Sequence, residues 1–167
     1  MITRALLFLS FLLIPLAPPS VAGTRDPNTP DERYIEFGTK FPSVLRIMAI
    51  GEEKDEKTGE TQPMPQFGSA VVIRPNWILT AAHVVHNTHL STIISDSNTK
   101  HAVVKLFIPK EFSCNKNHFG YYDIAIGYIP DAIDLEFYPA LYTDGDEAGK
   151  LITFAGHGFT GTFHTGY

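Results

Sequence analysis

His83 closes the run Trp77-Ile78-Leu79-Thr80-Ala81-Ala82-His83, and Asp123 opens the run Asp-Ile-Ala-Ile-Gly-Tyr-Ile further along the chain. A histidine and a carboxylate in this order offer general-base chemistry. An imidazole acts as a base only in a fixed tautomer, and a carboxylate behind its other ring nitrogen holds that tautomer. Taken alone, His83 is equally well a hydrogen-bonded structural residue and Asp123 an ordinary strand-end aspartate; together they are a far more specific signal. The third partner of such a group, a serine nucleophile, has no recognisable Gly-x-Ser-x-Gly setting in the 167 residues. Ser69, inside Gly68-Ser69-Ala70-Val71-Val72-Ile73, reads as a strand residue.

Two other groupings carry less. His83, His86 and His89 form His-x-x-His-x-x-His, but steps of three on a helix do not keep the first and third on one face, and no glutamate stands between them as a hydrolytic base. Cys114 near His118 lies in Phe112-Ser113-Cys114-Asn115-Lys116-Asn117, which reads as a loop bearing a free or remotely paired thiol.

The elements that must position His83 and Asp123 are strands. Short apolar runs rich in β-branched residues occur at Ser43 to Ile50, Ser69 to Ile73, Trp77 to Thr80, Thr92 to Ile94, Ala102 to Ile108, Ile124 to Ile129 and Leu151 to Ala155. Most are separated by Gly, Pro, Asn or Asp, the pattern of an all-β barrel or sandwich of antiparallel strands. Ala81 to His86 suits one short helical turn, and no stretch carries an apolar helical period long enough for more. Gly51 to Gln66, with five acids and two lysines, reads as a solvated hairpin loop, and Thr24 to Glu32 as an extended polar leader.

Arg4, the apolar stretch Ala5 to Leu16 and the small residues of Ser20-Val21-Ala22 form an export signal, with cleavage expected after Ala22. Pro15, Pro18 and Pro19 interrupt the run, which suits a signal better than a membrane span. The expected product is secreted, to the extracellular space or periplasm, with no membrane partner after cleavage. A net charge of −5 argues against nucleic acid as a partner. Cys114 is the one cysteine, so no disulfide forms within the chain.

The motifs in tandem resemble those of the trypsin/chymotrypsin-like serine proteases. Thr80-Ala81-Ala82-His83 matches the family's Thr-Ala-Ala-His, Gly68 to Leu79 its preceding strands, and Asp123-Ile124-Ala125 its Asp-Ile-Ala. Lys150 to Gly158 is similar to the strand and Gly-Trp-Gly turn that open the second barrel, with His157 where tryptophan is usual. The resemblance implies an antiparallel six-stranded barrel within a two-barrel fold, with only the first strands of the second barrel present. It divides the chain into a signal peptide at 1–22, a polar leader at 23–33 and a protease domain at 34–167, incomplete at its C-terminus. It also implies a serine endopeptidase in which His83 and Asp123 are catalytic and the serine lies beyond Tyr167. The partner would be a protein or peptide substrate; no cofactor or metal is implied, since Asp96 alone follows His83 as a calcium-type carboxylate.

Three further departures stand out. The positions of a family disulfide hold Val84 and, approximately, Gln66; Arg33 to Gly38 is a poor match to an activation site; the 51–66 loop is long. The 167 residues alone are expected to be inactive. The alternative reading is a non-catalytic secreted binding protein on a degenerate protease scaffold.

Overall fold

A computed structural model describes residues 24–54, 57–94, 98–114, 120–157 and 161–162. The expected export signal and its expected cleavage position after Ala22 lie outside these residues, as does His118. In chain order the elements are β1 (Thr24–Arg25), α1 (Asp31–Gly38), β2 (Val44–Lys54), β3 (Thr61–Arg74), β4 (Trp77–Thr80), α2 (Ala82–Val85), β5 (Thr88–Ile94), β6 (Lys100–Val103), β7 (Lys105–Phe107), β8 (Ser113–Cys114), β9 (Gly120–Tyr121), β10 (Ala125–Tyr128) and β11 (Gly161–Thr162).

Seven of these make one sheet in the order β6-β5-β2-β3-β4-β10-β7, with every pairing antiparallel. β6 and β7 sit at opposite ends of that order, yet only Val104 separates them in the chain. The Val104 N–H donates to the Tyr128 carbonyl at 2.9 Å, so one bent run pairs with β5 through its first half and β10 through its second. The sheet thereby curls into a nearly closed barrel, and with β6–β7 counted as a single bent strand it has six staves. Closure removes the open edges that would otherwise pair with other chains.

Alternation along the strands explains what fills it. In β2, Leu45, Ile47 and Ala49 are buried while Arg46 is exposed; in β3, Ala70 and Val72 are buried; β4 contributes Ile78 and β5 Ile93. Side chains two apart on a strand share a face, so this periodicity sends one set inward. Each fully buried Ile or Val side chain contributes about 1.5–3 kcal/mol through removal from water. At Gly127 on β10 the packing leaves no room for a side chain. A Cβ there would stand 2.8 Å from both Ile78 Cγ1 and Val103 Cγ1.

Three expectations from the sequence differ from the structure. Residues 51–66 are not simply a loop: β2 and β3 continue pairing out to Lys54 and Thr61, forming a long hairpin that projects from the barrel. Pro63 and Pro65 are accommodated in β3 because the strand has only β2 beside it there, so their missing N–H groups break no second ladder. The leader is extended at Thr24–Arg25, as expected, but its last two residues, Asp31 and Glu32, begin a helix, α1. Pro30 precedes it and Asp31 and Glu32 occupy its first turn, where negative charge is favoured. Tyr34, Ile35 and Phe37 remain exposed, so its eight residues bury no apolar stripe of the kind that marks a helix in sequence.

The expected strand at Leu151 to Ala155 joins no sheet, and Leu151 and Phe154 are almost fully exposed. Its β-propensity finds no neighbouring ladder among the described residues, and a strand is stabilised by cross-strand partners rather than by composition alone.

Candidate active site

The register between β4 and β10 places the site. Thr80, the last residue of β4, is opposite Ala125, the first of β10. Beyond that pair the antiparallel strands emerge at the same rim of the barrel, so the residues just after Thr80 meet those just before Ala125. Ala81 is extended, and the chain then turns through α2, whose Ala82, Val84 and Val85 are buried. His83, on the same turn, faces outward with its side chain 36% exposed.

In the bend leading into β10, Tyr122 has a φ of +56°, a left-handed conformation uncommon for a large side chain. The Ile124 N–H folds back onto the Tyr122 carbonyl at 2.8 Å. This kink ends just before β10 and turns the Asp123 carboxylate toward α2.

Asp123 grips α2 through two oxygens. Oδ1 accepts the His83 backbone N–H at 2.8 Å, and Oδ2 lies 2.7 Å from His83 Nδ1. The first turn of any helix has N–H groups without helical partners, and here the carboxylate of Asp123, just before β10, accepts that of His83. Burial pushes the Asp123 carboxyl up, but the His83 N–H, the His83 ring and its charge, and the Ala82 N–H outweigh that and hold it below the usual carboxylate range. An ionised carboxylate only accepts, so the proton between the two side chains belongs to Nδ1. Nε2 is left as the basic atom of the ring. The backbone bond fixes where the ring starts and the side-chain bond fixes how it is turned. The arrangement therefore suits a neutral imidazole that takes a proton at Nε2 and is stabilised once charged.

The other sequence candidates lie elsewhere. Ser69 serves as a docking point: its hydroxyl accepts the His157 N–H at 2.7 Å, while His157 Nε2 lies 3.1 Å from the Val44 carbonyl. The Gly156-His157 segment is thus fastened to β2 and β3. His86 stacks edge-on against Phe112, and His89 lies 3.7 Å from Glu52, so the three histidines go to three separate partners. Among the described residues no three His, Cys, Asp or Glu side chains cluster as metal ligands would.

One residue that the chemistry of the sequence did not single out belongs here. One terminal atom of the Gln66 amide lies 3.1 Å from the His83 carbonyl and 2.9 Å from the Val84 carbonyl; carbonyl oxygens only accept, so the hydrogen-bond chemistry assigns that atom as the nitrogen, donating to both. The family resemblance, which puts Gln66 and Val84 at the two positions of a disulfide, implies that they are neighbours; the hydrogen bonds themselves depend on how β3 passes beneath α2.

Solved structures similar to this chain include an HtrA-type protease, an AlgW variant determined with a decapeptide, at 15% identity over 64% of this chain and 34% of that one, with a TM-score of 0.43. The active form of the Rv3671c protease from M. tuberculosis aligns at 18% identity over 73% of this chain and 43% of that one, with a TM-score of 0.43. HL collagenase aligns at 19% identity over 55% and 37%, with a TM-score of 0.38. This chain thus spans well under half the length of each. No curated protein matches it. The Trypsin family model matches residues 51–161, an interval holding the β3–β4 hairpin, His83 and Asp123, and the chain belongs to that family.

Proposed function

We propose that this chain is the His–Asp portion of a secreted serine endopeptidase, with the serine supplied by residues outside these 167. The observation that carries the reading is the double hold of Asp123 on His83, through backbone N–H and ring nitrogen together. Trypsin family membership supports the reaction class.

In the reaction, His83 Nε2 takes the proton of the serine hydroxyl as that oxygen attacks the scissile carbonyl. The same nitrogen then returns the proton to the departing amine. Asp123 stays ionised throughout, orients the ring and stabilises the transient imidazolium. The donors that stabilise the oxyanion lie with the serine, outside these residues, and contribute the largest share of such catalysis. The substrate is a protein or peptide. The signal at residues 1–22 supports export.

The reading frame followed past Tyr167 provides the test. A Gly-Asp-Ser-Gly-Gly segment is expected there, and protein containing it should hydrolyse peptides until His83 or that serine is replaced by alanine. A frame without the segment favours the non-catalytic binding protein. Hydrolysis that survives His83→Ala overturns the mechanism.

A further inference from the structure

The catalytic histidine sits on a helix of four residues, too short to hold itself in place. Nucleating a helical turn is unfavourable, and α2 has few bonds of its own: Val84 N–H to the Ala81 carbonyl at 3.3 Å and His86 N–H to the Ala82 carbonyl at 2.7 Å. Its order must come from its surroundings. Asp123 satisfies the N–H end. At the carbonyl end, the His83 and Val84 oxygens have no later turn to bond with, and Gln66 on β3 donates to both.

The seat beneath α2 is cut to this arrangement. A Cβ on Gly68 would come within 2.9 Å of Val84 Cγ2, so only glycine lets the Val84 side chain settle onto β3. Gly51, on the neighbouring strand, lies against the other terminal atom of the Gln66 amide, where a Cβ would stand 3.0 Å away. The amide is confined between Gly51 and α2 and has little freedom to turn elsewhere. Gln66 pairs with Ala49 in the β2–β3 ladder, so it is anchored to the barrel wall rather than to the projecting tip of the hairpin.

We infer that Gln66 is a positioning residue: its amide clamps the carbonyl end of α2 against the barrel so that the His83 N–H and Nδ1 reach Asp123 together. Without it the His83 and Val84 carbonyls lose their donor, the carbonyl end keeps only the Thr88 hydroxyl bond to the Val85 carbonyl at 2.8 Å, and the part of the turn that bears His83 loosens about the Asp123 bond. The distance from His83 Nδ1 to Asp123 Oδ2 then becomes a distribution. The consequence for turnover rests on the protease reading above, whereas the geometry of the clamp does not.

The test is NMR on the isotope-labelled full chain, read at the His83 ring Nδ1–H resonance and at the hydrogen exchange of the His83 backbone amide. Asp123→Asn assigns the ring signal by removing it. In Gln66→Met, which keeps length and loses both donors, the ring signal should broaden or vanish. His83 amide exchange should rise about tenfold or more, the scale of one or two lost hydrogen bonds. Amides of the β2–β3 ladder should be unaffected. Gln62→Met, an exposed site on the same strand, should leave both His83 readouts unchanged.

If Gln66→Met disturbs the whole barrel spectrum, the reading passes to Gln66→Asn, one methylene shorter and unable to reach both carbonyls. Loss of the ring signal in a folded variant supports the clamp; an unchanged ring signal and unchanged exchange overturn it. Neither readout requires hydrolysis, so a chain that cleaves nothing still decides the role of Gln66. In protein carrying its serine, Gln66→Met should lower kcat with little change in KM.

Discussion

Asp123 carries two tasks that a single substitution separates. Asparagine retains the shape but has one accepting oxygen, so it cannot receive both the His83 N–H and the ring Nδ1–H; its amide group donates instead and favours the wrong tautomer. Asp123→Asn should therefore leave the barrel folded and cut turnover in serine-containing protein by about 10⁴-fold, the loss associated with this change in the serine protease triad. A loss below about tenfold would show that the pairing does not govern catalysis. Because the folded Asp123 carboxyl lies below its ordinary value of 3.8, its contribution to stability is fully present above that value. The contribution is lost as pH falls through the lower folded value, where the carboxylate gains a proton in both states. Denaturant unfolding of wild type and Asp123→Asn should show a stability gap that holds steady above the ordinary value of 3.8 and narrows only as the pH is lowered below it. A gap independent of pH would mean that Asp123 stabilises the fold in some way other than as an anion.

At the level of elements, β10 is the part whose placement matters most, since it carries Asp123 to the rim. Its inner face is closed by Ile78 and Val103 around Gly127, and a methyl group there has nowhere to go. Gly127→Ala should destabilise the chain by about 1–3 kcal/mol through overpacking, measured by denaturant unfolding. It should also weaken the His83 contact by moving β10 away from β4. An alanine accepted without loss of stability would mean that the barrel is looser than its packing indicates. The projecting part of the β2–β3 hairpin is the contrasting case. It is exposed and holds none of the core residues, so the charged run that draws the eye in the sequence is peripheral to the site.

Over the whole molecule, the chain combines a proposed export signal, a nearly closed barrel and a following segment tethered to that barrel by Ser69 and His157. Signal peptidase should cut after Ala22, where small residues at Ser20 and Ala22 fit its pocket, leaving Gly23 at the N-terminus. N-terminal sequencing of the exported protein checks this, and an intact Met1 on membrane-bound protein would reverse the assignment. The barrel strands and the one-turn α2 were legible in the sequence because period-two burial and a small-residue turn are local patterns. Trp77–Thr80 is a strand with the bounds that its residues suggest. Helix α1 was not legible, since its apolar residues stay exposed, and Leu151 to Ala155 was misread as a strand because propensity cannot supply a neighbour. The residue types of the site, His83 and Asp123, were likewise readable from their motifs, as was their order. That they face each other at 2.7 Å was decided only by the β4–β10 register, which carries both past the same end of the ladder. The resemblance put Gln66 beside Val84, but the bonds of its amide to the His83 and Val84 carbonyls were decided only by the passage of β3 beneath α2. Burial patterns repeat along a few consecutive residues and can be read there. Contacts between remote segments depend on how the whole sheet closes, and no local stretch of sequence contains that information.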